Sequence, residues 1–271
     1  MALASLAPVL VAWCLTPPGF VFTGLLMNPL DNAGYLAEMR SSAAGAWLPS
    51  VPYIVEPHPQ VLIHPQYVLL GKVAGVFGIP VPVVFHGARA LFGLLVLLTA
   101  FSFFAASTPN RLIRRDAILL LATGGGVSWA TSRLGFLGSD ATIPESLTFA
   151  GMMGNPHFPL ATALFLAAPL AILWTFPAVS WRQSIGASAC TMALAAIQPF
   201  LLVSQGLVFA CWAVVMMRLG HSWRQFLRPA IALIFLAPLP VALYLGLQLY
   251  GDPVLSQWMV QNTSFSPPPL V

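Results

Sequence analysis

The stretch VPVVFHGARALFGLLVLLTAFSFFAAS, residues 81–107, decides the fold class. It holds a single charged residue, Arg89. Wound as a helix it extends about 40 Å, enough to cross a hydrocarbon core of about 30 Å with some tilt. The rest of the chain agrees. Of 271 residues, 58% are apolar and 7% are charged, against about 25% charged in a typical soluble domain. The mean hydropathy is +0.85. Seven acids and eleven bases cannot coat a soluble globule of this size. The sequence therefore predicts an all-α, polytopic transmembrane helix bundle of about seven spans, formed as a single module. The net charge of +4 is scattered along the chain rather than gathered on one face, which excludes a nucleic-acid binder. Cys14, Cys190 and Cys211 all lie in apolar runs without a CxxC neighbour, and small-residue packing explains them better than a disulfide or a zinc site.

Upstream of the deciding stretch, residues 1–22 read as a first span interrupted at Pro17-Pro18-Gly19. No basic residue precedes the apolar run, so it reads as retained rather than cleaved. Residues 23–80 form a long outer loop. Within it, residues 31–47 carry Tyr35, Leu36, Met39, Ala43 and Trp47 at helical spacing, an amphipathic stripe suited to lying in the membrane interface. Residues 48–65 are proline-rich and extended, and 66–78 form a second short surface helix. Downstream, further spans are predicted at 117–131 around Gly124-Gly125-Gly126, at 157–176, twice within 184–217 on either side of Gln198-Pro199, and at 229–250. The tail, 251–271, reads as a polar, proline-rich outer segment.

Sorting charges by side orients the bundle. The breaks at 108–116, 177–183 and 218–228 hold seven arginines and one acid. The loops at 23–80, 132–156 and 251–271 hold Arg40, Lys72, Arg133 and six acids. By the positive-inside rule the arginine side is cytoplasmic, with the N-terminus inside and the C-terminus outside, as in a bacterial plasma membrane protein. Chemistry, if present, then belongs to the outer face.

Asp31 opens the first surface helix. As an N-cap it would satisfy free N–H groups; as a base it would take a proton from an attacking hydroxyl, and both roles fit one carboxylate. Glu38, seven residues on, shares its face, and a solvated charge is the simple reading. Prolines hold Glu56, His58 and His64 in an extended strip that could meet phosphate, sugar or metal, or merely solvent. His86 and Arg89 are three apart on one face of the deciding helix. A guanidinium there pairs either with an anionic lipid phosphate or with a carboxylate such as Asp31, Glu56 or Glu145. Asp140 and Glu145 could share a divalent ion or a sugar hydroxyl. Asn155 suits an N-cap at the mouth of a span, with His157 beside it at the membrane edge. No GxSxG, Walker, HExxH or dinucleotide-binding motif is present, so soluble cofactor chemistry has no support.

In order along the chain, the strings Asp31-Asn32-Ala33-Gly34-Tyr35-Leu36-Ala37-Glu38-Met39-Arg40, Gly45-Ala46-Trp47-Leu48, Glu56-Pro57-His58, His86-Gly87-Ala88-Arg89, Pro144-Glu145-Ser146 and Asn155-Pro156-His157-Phe158 resemble the GT-C superfamily of membrane glycosyltransferases, in a bacterial branch. The resemblance implies a polyprenyl-phosphate sugar donor used at the outer membrane face. It implies Asp31 as the first-loop catalytic acid residue, acting as base. Asp140 and Glu145 would be second-loop acids, which in some branches hold a divalent metal, Mg or Mn, and His86 and Arg89 would face the donor phosphate. Relatives of this type carry more spans, so the chain reads as their shared N-terminal module, with a further C-terminal part expected. The rival reading is a non-enzymatic membrane protein, a transporter or a lipid-binding assembly subunit, for which the broken spans near Gln198-Pro199 would be the site.

Overall fold

The computed structural model describes residues 1–136, 138, 147–231 and 238–261, and among these the regular structure is helical throughout, with no strand. A 3₁₀ turn leads into α1 (Ala7–Cys14). An extended segment reaches α2 (Pro29–Ala43), which starts on Pro29 after Asn28 takes a left-handed conformation at φ 46°. Next come α3 (Pro65–Phe77), stopped by Gly78 at φ 64°, and α4 (Val81–Ser107), stopped before Thr108-Pro109. The side-chain oxygen of Asn110 accepts from the backbone N–H groups of Leu112 and Ile113 and caps α5 (Arg111–Thr123). Two short pieces follow, α6 (Ser128–Thr131) and α7 (Thr148–Gly154). The longer α8 (His157–Leu173), α9 (Trp181–Ile197), α10 (Leu201–Arg218), α11 (Arg224–Ile231), α12 (Pro238–Gly251) and α13 (Pro253–Gln261) complete the order. Ser180 and Gln183 form a capping box at the start of α9.

Two helices, α4 and α10, are long and apolar enough to cross a membrane. Their outward side chains, among them Leu91, Leu94, Leu98, Val203, Leu207 and Val215, are apolar and exposed. The bundle centre is α8, packed against α4 on one side and α9 on the other. Met152 of α7 fills the junction between Val96 of α4 and Ala163 of α8.

Several expectations are corrected. The first apolar run, expected as a span over 1–22, is helical only over Ala4–Cys14, because Pro17-Pro18-Gly19 ends it. The span expected at 117–131 is not formed. Gly124, Gly125 and Gly126 are non-helical, and the arginines placed in a polar break belong to the helix before them, α5. Within the tail expected after 251, α13 occupies Pro253–Gln261. Of about seven expected spans, α4 and α10 alone among the described residues pass the length and hydropathy test.

Helices α2 and α3 pack against each other and against α4. Leu36 and Met39 of α2 are buried with Tyr67 of α3 and Phe85 of α4. The reason is the Gly71-Lys72-Val73-Ala74-Gly75 string of α3. A Cβ at Gly71 would sit 2.4 Å from the Met39 carbonyl oxygen, and one at Gly75 would sit 2.5 Å from that of Ala43. Two glycines one turn apart let the backbones of α2 and α3 touch, as small residues do at close helix crossings.

Candidate functional site

That close crossing builds a cavity. Asp31, Tyr35 and Glu38 recur on one face of α2, and α3 brings His64 against them from its N-terminal cap. The proline-rich loop supplies Val51, Pro52 and Tyr53, and α13 supplies Trp258. The resulting hollow has a volume of about 530 Å³.

Asp31 sits in the first turn of α2, where the helix dipole favours a carboxylate, but it is not the N-cap; Asn28 is. The Asn28 Nδ2 donates to Asp31 Oδ2 at 2.6 Å. Asp31 remains solvent-exposed and lines the cavity. Glu38, read from sequence as a solvated charge, is 7% exposed. Its two carboxylate oxygens lie 2.9 and 3.2 Å from His64 Nδ1. The other ring nitrogen of His64 has no protein partner among the described residues.

Behind this pair runs an aromatic stack. Tyr35 lies parallel to Tyr67 with centroids 4.2 Å apart, and His64 meets Tyr35 edge-on at 5.1 Å. The Tyr67 hydroxyl lies 2.7 Å from His157 Nδ1, at the first turn of α8. Burial, with the nearby Tyr35, Glu38 and Asp31, pushes the Tyr67 phenol well above its usual value and holds it neutral. The Tyr53 phenol is also raised, by partial burial and then by Asp31 and Glu38. Its hydroxyl donates to the Leu30 carbonyl.

The remaining expected residues divide sharply. Glu56 borders an adjoining hollow of about 180 Å³ that shares Tyr53 and Trp258 with the main cavity. His58 is engaged within the loop itself. Its Nε2 accepts from the Val51 N–H at 3.0 Å, and Nδ1 reaches the Glu56 carbonyl at 2.8 Å, so both ring nitrogens clamp the loop. Asn155 is not an N-cap of α8. It follows α7, is buried, and its amide has no protein partner among the described residues.

Arg89 lies apart from the cavity and faces no carboxylate among the described residues. It is 2% exposed. Its Nε donates to the Met152 carbonyl at 3.1 Å, one terminal nitrogen to the Ser5 carbonyl at 3.2 Å, and the other to His86 Nδ1 at 2.8 Å. Met152 is in the last turn of α7, where carbonyls lack helical partners and a cation is favoured. Arg89 and His86 thus tie the N-terminal turn, α4 and α7 together. Asp140 and Glu145 lie outside the described residues. Among the described residues no three His, Cys, Asp or Glu side chains gather as a metal-binding set.

The cavity chemistry is that of a small polar ligand: one open carboxylate, one carboxylate–imidazole pair, and the aromatic rings of Tyr35, Tyr53 and Trp258. Sequence reasoning missed Glu38, Tyr35, Tyr53 and Trp258 as lining groups, although the spacing of Asp31, Tyr35 and Glu38 was a usable signal. Comparison of the chain with protein-family models, with curated proteins and with solved structures finds no match.

Proposed function

We propose that this chain is a multi-pass membrane glycosyltransferase of the GT-C kind, working at the outer face of a bacterial plasma membrane on a polyprenyl-phosphate sugar. The observation that carries the reading is the cavity itself. The acid singled out in the first outer loop, Asp31, opens into a hollow walled by aromatic rings and a second ionisable pair. Aromatic faces suit the C–H face of a sugar ring, while carboxylates and imidazole suit its hydroxyls. The outward apolar surfaces of α4 and α10 suit lipid.

In the reaction, Asp31 takes the proton of an acceptor hydroxyl as its oxygen bonds to the anomeric carbon of the donor sugar. The bond from that carbon to the phosphate oxygen breaks, and the polyprenyl phosphate leaves with the electron pair. A single displacement inverts the anomeric centre. Glu38 holds His64 Nδ1 and so fixes the imidazole ring in the cavity wall.

The test is sugar transfer from a polyprenyl-phosphate donor by the chain reconstituted in vesicles. Asp31→Asn keeps size and polarity and removes the base, so transfer is expected to fall by about 100-fold or more with expression unchanged. Undiminished transfer by this variant overturns the assignment of Asp31.

A further inference from the structure

On a different part of the bundle, α5 gathers three arginines around a second hollow. Arg111, Arg114 and Arg115, with Ile118 and Leu119 of the same helix and Phe101 of α4, line a space of about 580 Å³. Positions 111, 114, 115 and 118 fall on one helical face. Asp116 takes part of this charge, accepting from Arg115 at 2.9 Å, and Arg114 donates to the Pro109 carbonyl at 3.2 Å. Arg111 has no protein partner among the described residues. The flank of the same helix is apolar and unburied: Leu112, Ile113, Leu119 and Leu120 are 61, 55, 52 and 71% exposed. A helix with guanidinium groups on one side and bare leucines on the next is poorly matched to water. It is well matched to a membrane interface.

We infer that this hollow binds the phosphate headgroup of an anionic membrane lipid. Guanidinium forks take phosphate oxygens two at a time, with the charge and planarity that an ammonium lacks. Phe101, Ile118 and Leu119 offer an apolar wall, which serves an attached acyl chain and contributes nothing to a free ion. Phe101 lies near the end of α4, a helix long enough to cross a membrane, so the wall continues into the apolar surface of the bundle. Arg89 does not compete for the headgroup, because it is buried and donates to two carbonyls and an imidazole. The inference rests on the membrane reading of α4 and is independent of the transferase reading.

The full chain, purified in a neutral detergent, is titrated separately with phosphatidylglycerol, phosphatidylcholine and inorganic phosphate, and retained lipid is counted by native mass spectrometry. Phosphatidylglycerol is expected to be retained about tenfold more strongly than phosphatidylcholine. The triple variant R111Q/R114Q/R115Q is expected to lose about that tenfold preference, and R218Q/R224Q to keep it. Equal retention of the two lipids overturns the site. Equal loss in both variants also overturns it, since it reduces the effect to net charge. Displacement of the lipid by an equal concentration of inorganic phosphate overturns the lipid as occupant. Should the triple variant lose its helical circular dichroism, R111Q alone decides: this exposed side chain is expected to lower retention about threefold, and unchanged retention overturns the inference.

Discussion

Glu38 and His64 meet at 2.9 Å across 26 residues of sequence, the carboxylate buried in the face of α2 and the imidazole at the cap of α3. Neither group alone defines the cavity. Together they give it a fixed wall, because the carboxylate oxygens hold Nδ1 and so set the plane of the ring.

If the pair positions His64, the two residues are coupled. Glu38→Gln and His64→Ala are each expected to lower stability by about 1–2 kcal/mol, with a coupling of about 1 kcal/mol between them. A double-mutant cycle on thermal unfolding in detergent measures this. Additive losses would show that the contact contributes nothing as a pair.

The approach of α2 to α3 depends on Gly71. Gly71→Ala drives a methyl into the Met39 carbonyl, which cannot rotate away as a side chain would. A loss of about 1–3 kcal/mol is expected from overpacking, together with reduced transfer, because the Glu38–His64 contact spans that interface. A variant as stable and as active as the parent would remove this role for the glycine.

Arg89 is expected to matter for stability and not for donor affinity. Arg89→Gln leaves the Met152 and Ser5 carbonyls without their charged donor, and a loss of about 3 kcal/mol is expected. The KM for the donor, measured on the folded fraction, is expected to stay unchanged. A large rise in KM with normal stability would return Arg89 to the phosphate site.

Tyr67 predicts alkaline sensitivity. Its phenol ionises only well above the usual value in the folded chain, whereas the unfolded chain binds fewer protons above about pH 10. The stability it contributes is present below that pH and is lost as pH rises further. Thermal unfolding from pH 8 to 11 is expected to decline at the top of this range, and Tyr67→Phe to flatten the decline. An identical decline in both would assign the effect to other groups.

Local pattern carried well into the fold. The apolar run at 81–107 became α4 with the expected bounds, and the polar break at Gln198-Pro199 separates α9 from α10. Both follow from hydropathy and proline, which act over a few residues. The triple glycine did not behave as a packing motif inside a span, since three flexible residues in succession end α5 instead. The partners of Arg89 were illegible for another reason. They are backbone carbonyls of Ser5 and Met152, which every residue possesses, so no side-chain spacing marks them. The cavity was half legible: the face of Asp31, Tyr35 and Glu38 is written in the helical period, while Trp258 reaches it only through tertiary packing.

The position of Trp258 has a consequence for biogenesis. A chain made from its N-terminus presents Asp31, Glu38 and His64 first, while the indole that lines their hollow follows 194 residues after His64. Until then the cleft is a trough with a missing wall. Competence to hold a ligand therefore waits for that later segment, and a ribosome stalled after α12 would carry Asp31, Glu38 and His64 without the indole beside them.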